Sequence, residues 1–423
     1  MVGGTLARRL GTGDAVVIGL GSMLGAGVFA AFAPAAAAAG SGLLIGLAVA
    51  AGVAYCNAVA SAQLAAQYPA SGGTYVYGRE RLGAWWGFLA GWGFVVGKTA
   101  SCAAMALTFA AYAVGGSIWL QRAVGVAAVA ALTAVNYHGI TRTARLARIL
   151  VALTLLALAV IVAAIVAGGG SGRVSGVGGH GAYGILQSAG LLFFAFAGYA
   201  RIATLGEEVR DPEHTIPRAI PLALGIVVAI YAAVAFAVLF GAGSAALAAS
   251  AAPVVTALHG AHAAWASPVA RAGAAVASLG SLLALIAGVG RTGLAMARQR
   301  DLPRVLDSVH ARYHVPDRAE LAVGAVVCVL VLTTDLRGAI GFSSFGVLVY
   351  YAVANASAFT QADARRRWPR ALNGIGAFAC LVLVATLPWR SVAAGVVVFA
   401  IGLAGRALVR ARGTRSAARL PTG

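Results

Sequence analysis

The sequence predicts an all-α polytopic membrane protein with about twelve transmembrane helices, and three observations carry that prediction. Of 423 residues, 61% are hydrophobic and only 10% charged, where a soluble domain carries about a quarter. Apolar runs of about 20 residues, enough to cross ~30 Å of hydrocarbon, recur from end to end. Positive charge is also placed unevenly. Twenty-three of the 31 basic residues lie at the termini and in alternate connections, and five in the connections between them. The remaining three, Lys98, Arg201 and Arg291, fall inside apolar segments.

That alternation accounts for the net charge of +19 without invoking nucleic acid as a partner. By the positive-inside rule it puts both termini in the cytoplasm and requires an even number of spans. The expectation is a multi-pass protein of the cytoplasmic membrane, its partner the lipid bilayer, with the oligomeric state left open. Cys56, Cys102, Cys328 and Cys380 lie singly in apolar segments and read as small buried hydrophobes, with no disulfide or metal framework. No cleavable signal is expected, because the first apolar run is long and begins a span.

The segments follow in order, each bounded by charge. The first, 14–38, comes after Arg8 and Arg9, and the second, 42–66, leads to Arg79 and Arg81. The third, 84–115, and the eighth, 269–298, exceed the bilayer thickness and must tilt or project. The fourth, 123–138, ends before Arg142, Arg145 and Arg148; the fifth is 146–168. The sixth, 185–205, and the seventh, 218–241, flank a charged connection. Residues 253–265 are less apolar and read as a re-entrant or surface helix on the opposite side. The ninth, 319–334, follows five arginines, and the tenth, 338–361, precedes Arg365, Arg366, Arg367 and Arg370. The eleventh, 371–388, and twelfth, 391–410, leave residues 1–13 as a cytoplasmic N-terminus and 411–423 as an unstructured basic tail.

Two segments carry interruptions. The first holds Gly19, Gly21, Gly25 and Gly27 in VVIGLGSMLGAGVF. Each helical glycine costs about 1 kcal/mol relative to alanine, so the cluster favours a broken helix, although small residues also serve close helix packing. The sixth has its own interruption at 195–200. Broken helices at corresponding places of two halves point to an inverted repeat with a site near the bilayer midplane. The halves would be five-helix units at 14–168 and 185–361, with two peripheral helices at 371–410.

The apolar run LLFFAFAG leads into GYARIATLGEEVRDPEHTIPRAIP at 198–221, where adjacent carboxylates, an Arg-Asp-Pro turn and an Ile-Pro restart follow one another. This stretch resembles the sixth helix and following cytoplasmic loop of amino acid permeases. Those proteins form the amino acid–polyamine–organocation superfamily, and the branch is cationic-amino-acid-transporter-like. GWGFVVGKTASCAAMALTFAAY at 91–112 is similar to that family's third helix. GRTGLAMARQRDLPRVLDSVHARYHVPDRAEL at 290–321 is similar to its eighth helix and loop.

The resemblance covers about 14–360 and implies a leucine-transporter-type five-plus-five repeat. It also implies a secondary transporter that moves amino acids by alternating access. A substrate zwitterion would be held where helices one and six are unwound, since bared backbone groups need partners. By resemblance, the carboxylate would meet the amides of Gly25, Ala26 and Gly27. The ammonium would meet carbonyls of Ser22, Met23, Phe194, Ala195 and Ala197 next to Gly198. Phe196 and Tyr199 would be aromatic covers, or plain packing. The chain departs from related sequences in two places. An acid often follows the helix-six aromatic, where Ala200 and Arg201 stand here; and Thr154 takes the place of a helix-five lysine found in many relatives.

Lys98 is the only lysine and lies inside the third segment, with Cys102 one turn on. An ionisable group at that depth is read by default as functional, here as a carrier of the coupling proton or a fixed stand-in for a sodium ion. The alternative is a lysine that snorkels or pairs with a carbonyl. Glu207 and Glu208 would latch an inner gate through loop arginines, or form an ordinary solvated helix end. All twelve acids fall at segment ends or in loops, so a cationic substrate would meet no mid-membrane counter-ion, and neutral or acidic amino acids are favoured.

Other classes fit less well. The seven histidines fall at loops or segment ends, no phosphate-binding GxxxxGK[ST] motif is present, and no catalytic residue, cofactor or metal site is expected. The chain is read as a non-enzyme. A proton symporter leads, ahead of an obligate amino acid exchanger and a transport-dead amino acid receptor.

Overall fold

The computed structural model describes residues 10–69, 72–139, 144–170, 172, 181–205 and 208–417, with the side chains of 144, 145, 147 and 411–417 left aside. Nearly all of it is helix. The first segment is α1 (Thr12–Met23), α2 (Gly27–Ala30) and α3 (Phe32–Ala39), and the second is α4 (Leu43–Gln67). A short α5 (Thr74–Leu82) precedes the third, α6 (Ala84–Ala113), and α7 (Ile118–Tyr137) and α8 (Ala144–Gly168) follow. The sixth comprises α9 (Gly181–Phe196), a 3-10 turn at Ala197–Tyr199 and α10 (Ala200–Ala203); the seventh is α11 (Pro212–Ala248). Then come α12 (Pro253–Gly260), α13 (Ser267–Arg298), α14 (Asp317–Thr333), α15 (Leu336–Phe359), α16 (Arg370–Thr386) and α17 (Trp389–Ala417).

Ten spans among the described residues are long and apolar enough to cross a membrane; α14 and α16, at 17 residues each, are shorter. The protein is a polytopic helical membrane protein. Exposed tryptophans mark the ends of the apolar zone, with Trp85 and Trp86 on the face carrying the arginine-rich connections and Trp119, Trp265 and Trp389 on the other. We call these the basic face and the opposite face.

Packing sorts the helices into two groups. The first, second, sixth and seventh segments pack on one another, chiefly as α4 with α9 and α11, and α1 with α11. The third, fourth, eighth and ninth form the other group, through α6 with α13, α7 with α14 and α13 with α14. α15 joins them, lying against both α6 and α4.

The two interruptions take different forms. α1 stops at Met23, Leu24 leaves the helical region with ψ 40°, and helix resumes at Gly27. The sixth segment was expected to unwind, but it tightens instead. Phe196 and Tyr199 keep helical dihedrals (φ −79°, ψ −21° and φ −64°, ψ −19°) on either side of the 3-10 turn. Such a turn shifts the hydrogen-bond register while keeping the rod continuous. At the far end α17 continues to Ala417, past the residue 410 at which the sequence reading stopped it. Its Ala- and Arg-rich run favours helix.

On the basic face a buried cluster ties the outer elements together. Asp301, just beyond α13, accepts from Tyr75 Oη of α5 (2.9 Å) and pairs with Arg79 (3.3 Å) and Arg406 (2.8 Å). Burial, with the carboxylate alongside, pushes the Tyr75 phenol above its ordinary pKa, so it stays a donor. Arg406 also donates to the Ala84 carbonyl and lies 4.7 Å over both Trp85 and Phe88.

Candidate transport site

The interruptions of the first and sixth segments lie against each other. Glycines set how close they come. A Cβ on Gly27 would sit 2.7 Å from the Ala195 Cα, and one on Gly198 would fall on the Ser22 carbonyl and 2.6 Å from Met23 N. Neither distance is open to a side chain, so both positions require glycine. Gly25 packs in the same way on Ser281 of α13.

Where a helix is interrupted in hydrocarbon, its carbonyls need other donors. Two side chains supply them here. Tyr231, midway along α11, places its phenol 2.5 Å from the Met23 carbonyl and 3.0 Å from the Ala195 carbonyl, so one O–H is shared between the two segments. Lys98 of α6 donates from Nζ to the Ala197 carbonyl at 3.0 Å. The ring of Phe196 packs 5.0 Å from that of Tyr231.

A cavity of about 300 Å³ opens beside this junction, towards the basic face. Gly21, Ser22 and Leu24 line it from the first segment, Thr154 from α8, Ser281 from α13, and Arg201, Leu205 and Glu208 from beyond the 3-10 turn. Leu10 lines it as well. The Leu10 amide donates to the Glu208 carbonyl (3.1 Å) and the Arg210 amide to the Leu10 carbonyl (2.8 Å), which clips the start of α1 to the connection after α10. Asp14 of α1 also pairs with Arg148 of α8.

Tyr112 ties α6 to α2, α12 and α13. Tyr112 Oη donates to the Phe29 carbonyl (2.8 Å) and accepts from Val254 N of α12 (3.3 Å), while Arg271 donates to the Tyr112 carbonyl (2.8 Å). The Phe29 and Tyr112 rings meet edge to face at 5.9 Å.

Of the residues singled out from sequence, Ser22 and Met23 end α1, Gly25 and Ala26 form the link, and Gly27 opens α2. Phe194, Ala195 and Phe196 end α9, and Ala197, Gly198 and Tyr199 form the 3-10 turn. Ser22 reaches the cavity; Gly25, Ala26 and Gly27 are buried above it. Tyr199 is buried against Tyr351 of α15, with ring centroids 5.1 Å apart. Cys102 is fully buried one turn along α6 from Lys98, away from the cavity lining. Glu208 stands at the mouth; Glu207 lies outside the described residues. Tyr231, Ser281 and Tyr112 were missed. Tyr231 had a readable signal, since a lone phenol amid VVAIYAAVAF must find a partner for its hydroxyl. Among the described residues, no three His, Cys, Asp or Glu side chains stand together as a metal site requires.

A family model described as amino acid permease matches residues 10–405. The chain belongs to the amino acid permease family. This permease is 62% identical over 403 residues to a Mycobacterium tuberculosis protein named an uncharacterized transporter, covering 94% of this chain and 90% of that one. It is 26% identical over 429 residues to a branched-chain amino acid permease of Bacillus subtilis, with 94% and 92% covered. A serine/threonine exchanger of the same bacterium is 27% identical over 252 residues, 55% of each chain. The permease is thus a transporter of the amino acid permease family.

Proposed function

We propose that the protein is a secondary active transporter that carries amino acids across the cytoplasmic membrane by alternating access, coupled to protons. The basic face would be cytoplasmic, with both termini on that side, in keeping with the arginine distribution. The observation that carries the reading is the junction of the two interrupted segments, where Met23, Ala195 and Ala197 present carbonyls to side-chain donors.

A substrate ammonium has the chemistry to take over those carbonyls. In this reading Tyr231 and Lys98 act as internal donors that satisfy them while no substrate is bound. The carboxylate would go to the amides at the start of α2, on the positive side of the helix dipole. The helix pairing supports the five-plus-five arrangement: the first two segments of each half form one group, and the third and fourth of each half form the other. The cavity towards the basic face would be the release path. Lys98, held by a backbone carbonyl and with Cys102 as its titratable neighbour on α6, would carry the coupling proton.

Reconstituted protein should accumulate labelled amino acids when an inward proton gradient is imposed and lose accumulation when it is dissipated. Saturable swapping without net accumulation would favour the exchanger reading, for which the similarity to a serine/threonine exchanger is a specific reason. Binding without any flux would mark a receptor.

A further inference from the structure

The cavity beside the junction has one deep cation. Arg201 lies two residues beyond the 3-10 turn, lines the cavity, and is oriented by Thr204, whose hydroxyl donates to the Arg201 carbonyl (2.8 Å) and accepts from Arg201 Nη1 (3.3 Å). None of the ion pairs among the described residues involves Arg201. Glu208, the acid that lines the same cavity, interacts electrostatically with Arg201 but does not come within ion-pair distance of it.

The remaining polar groups of the cavity have already used their protons. Ser22 Oγ donates to the Ile18 carbonyl (2.9 Å), Thr154 Oγ1 to the Leu150 carbonyl (2.9 Å) and Ser281 Oγ to the Gly21 carbonyl (3.4 Å). Each hydroxyl would have to give up that bond before it could donate to an anion. The guanidinium is therefore the group here with donors to spare, and it is shaped for a carboxylate. Arg291 of α13 adds a second positive charge close enough to act on Arg201.

We propose that Arg201 is a specificity-determining residue that binds a side-chain carboxylate, making acidic amino acids the preferred substrates. The inference rests on the amino acid reading above. With the α-carboxylate and ammonium held at the junction, a side chain directed towards Ser22 and Leu24 enters the cavity that Arg201 lines. A carboxylate there gains a charge-assisted contact in a poorly solvated space, and a cationic side chain is repelled.

The test compares isosteres in proteoliposomes at neutral pH. Glutamate and aspartate should compete for uptake roughly ten- to a hundredfold better than glutamine and asparagine, the range of a hydrogen bond to a charged partner. Arg201→Gln should collapse that ratio, and Arg201→Lys should retain part of it. The comparison on the unaltered protein needs no variant, so a misfolded mutant does not remove the test. Uptake of neutral amino acids with no preference for their acidic isosteres overturns this inference alone. So does an unchanged ratio in folded Arg201→Gln. Failure to move any amino acid overturns the permease reading as well.

Discussion

The Lys98 ammonium nitrogen lies 3.0 Å from the carbonyl oxygen of Ala197, joining α6 to the 3-10 turn of the sixth segment. The two residues belong to different helix groups, so the bond crosses the surface along which an alternating-access transporter must slip or rock. If the amine loads and releases a proton, the contact is made and unmade in each cycle. Lys98→Ala should then insert normally in the membrane but show uptake that no longer rises as the outside is acidified. Pulse uptake across a series of outside pH values measures this, and a profile parallel to the unaltered protein would discard the role.

Tyr231 joins the same region from the other direction. Tyr231→Phe removes one hydroxyl and leaves the Met23 and Ala195 carbonyls without it. A buried acceptor so stranded costs about 1–3 kcal/mol. The expected outcome is a lower melting temperature of the substrate-free protein in detergent, partly restored at saturating amino acid, with an amino acid affinity at least as high as that of the unaltered protein, because the ammonium no longer competes with the phenol. Thermal melts and saturation curves on one preparation give both quantities.

At the mouth of the cavity, Glu208 lies on the connection clipped to Leu10. If Glu208 and its neighbour in sequence, Glu207, latch the inner gate, exchanging both for Gln changes turnover more than binding. Equal losses in maximal rate and in affinity would instead mark an ordinary helix end.

The Asp301 cluster is structural in this account. Its carboxylate and the Arg406 guanidinium are almost wholly buried, with side-chain exposures of 3% and 1%. Breaking a buried pair by removing one partner costs about 3–5 kcal/mol. Asp301→Asn should destabilise the folded protein by an amount of that order, with melting as the readout, while the affinity for substrate of the folded fraction stays close to normal.

Much of the fold was legible because the bilayer limits the choices. Residues 14–38 and 185–205 had to be helices once their length and apolarity were noted, and the arginines of the alternate connections ordered the spans. The glycines at 25, 27 and 198 were also readable, and each proves to be a point of close approach. The form of the sixth interruption was not. Whether a helix opens or tightens depends on what reaches its carbonyls from elsewhere, and Tyr231 and Lys98 lie on other segments. Tyr112 was hidden for the same reason. Its role depends on Phe29, Val254 and Arg271, which tertiary packing alone brings together. Asp301 likewise acquires meaning only when α5 and α17 converge on it.

An experimental structure with a transported amino acid bound would show whether the two interrupted segments hold the substrate. The carboxylate is expected on the amides at Gly25, Ala26 and Gly27, and the ammonium on the carbonyls of Met23 and Ala195, with the Tyr231 hydroxyl displaced from at least one of them. An amino acid bound away from both interrupted segments, with those carbonyls still held by Tyr231 and Lys98, would contradict that placement.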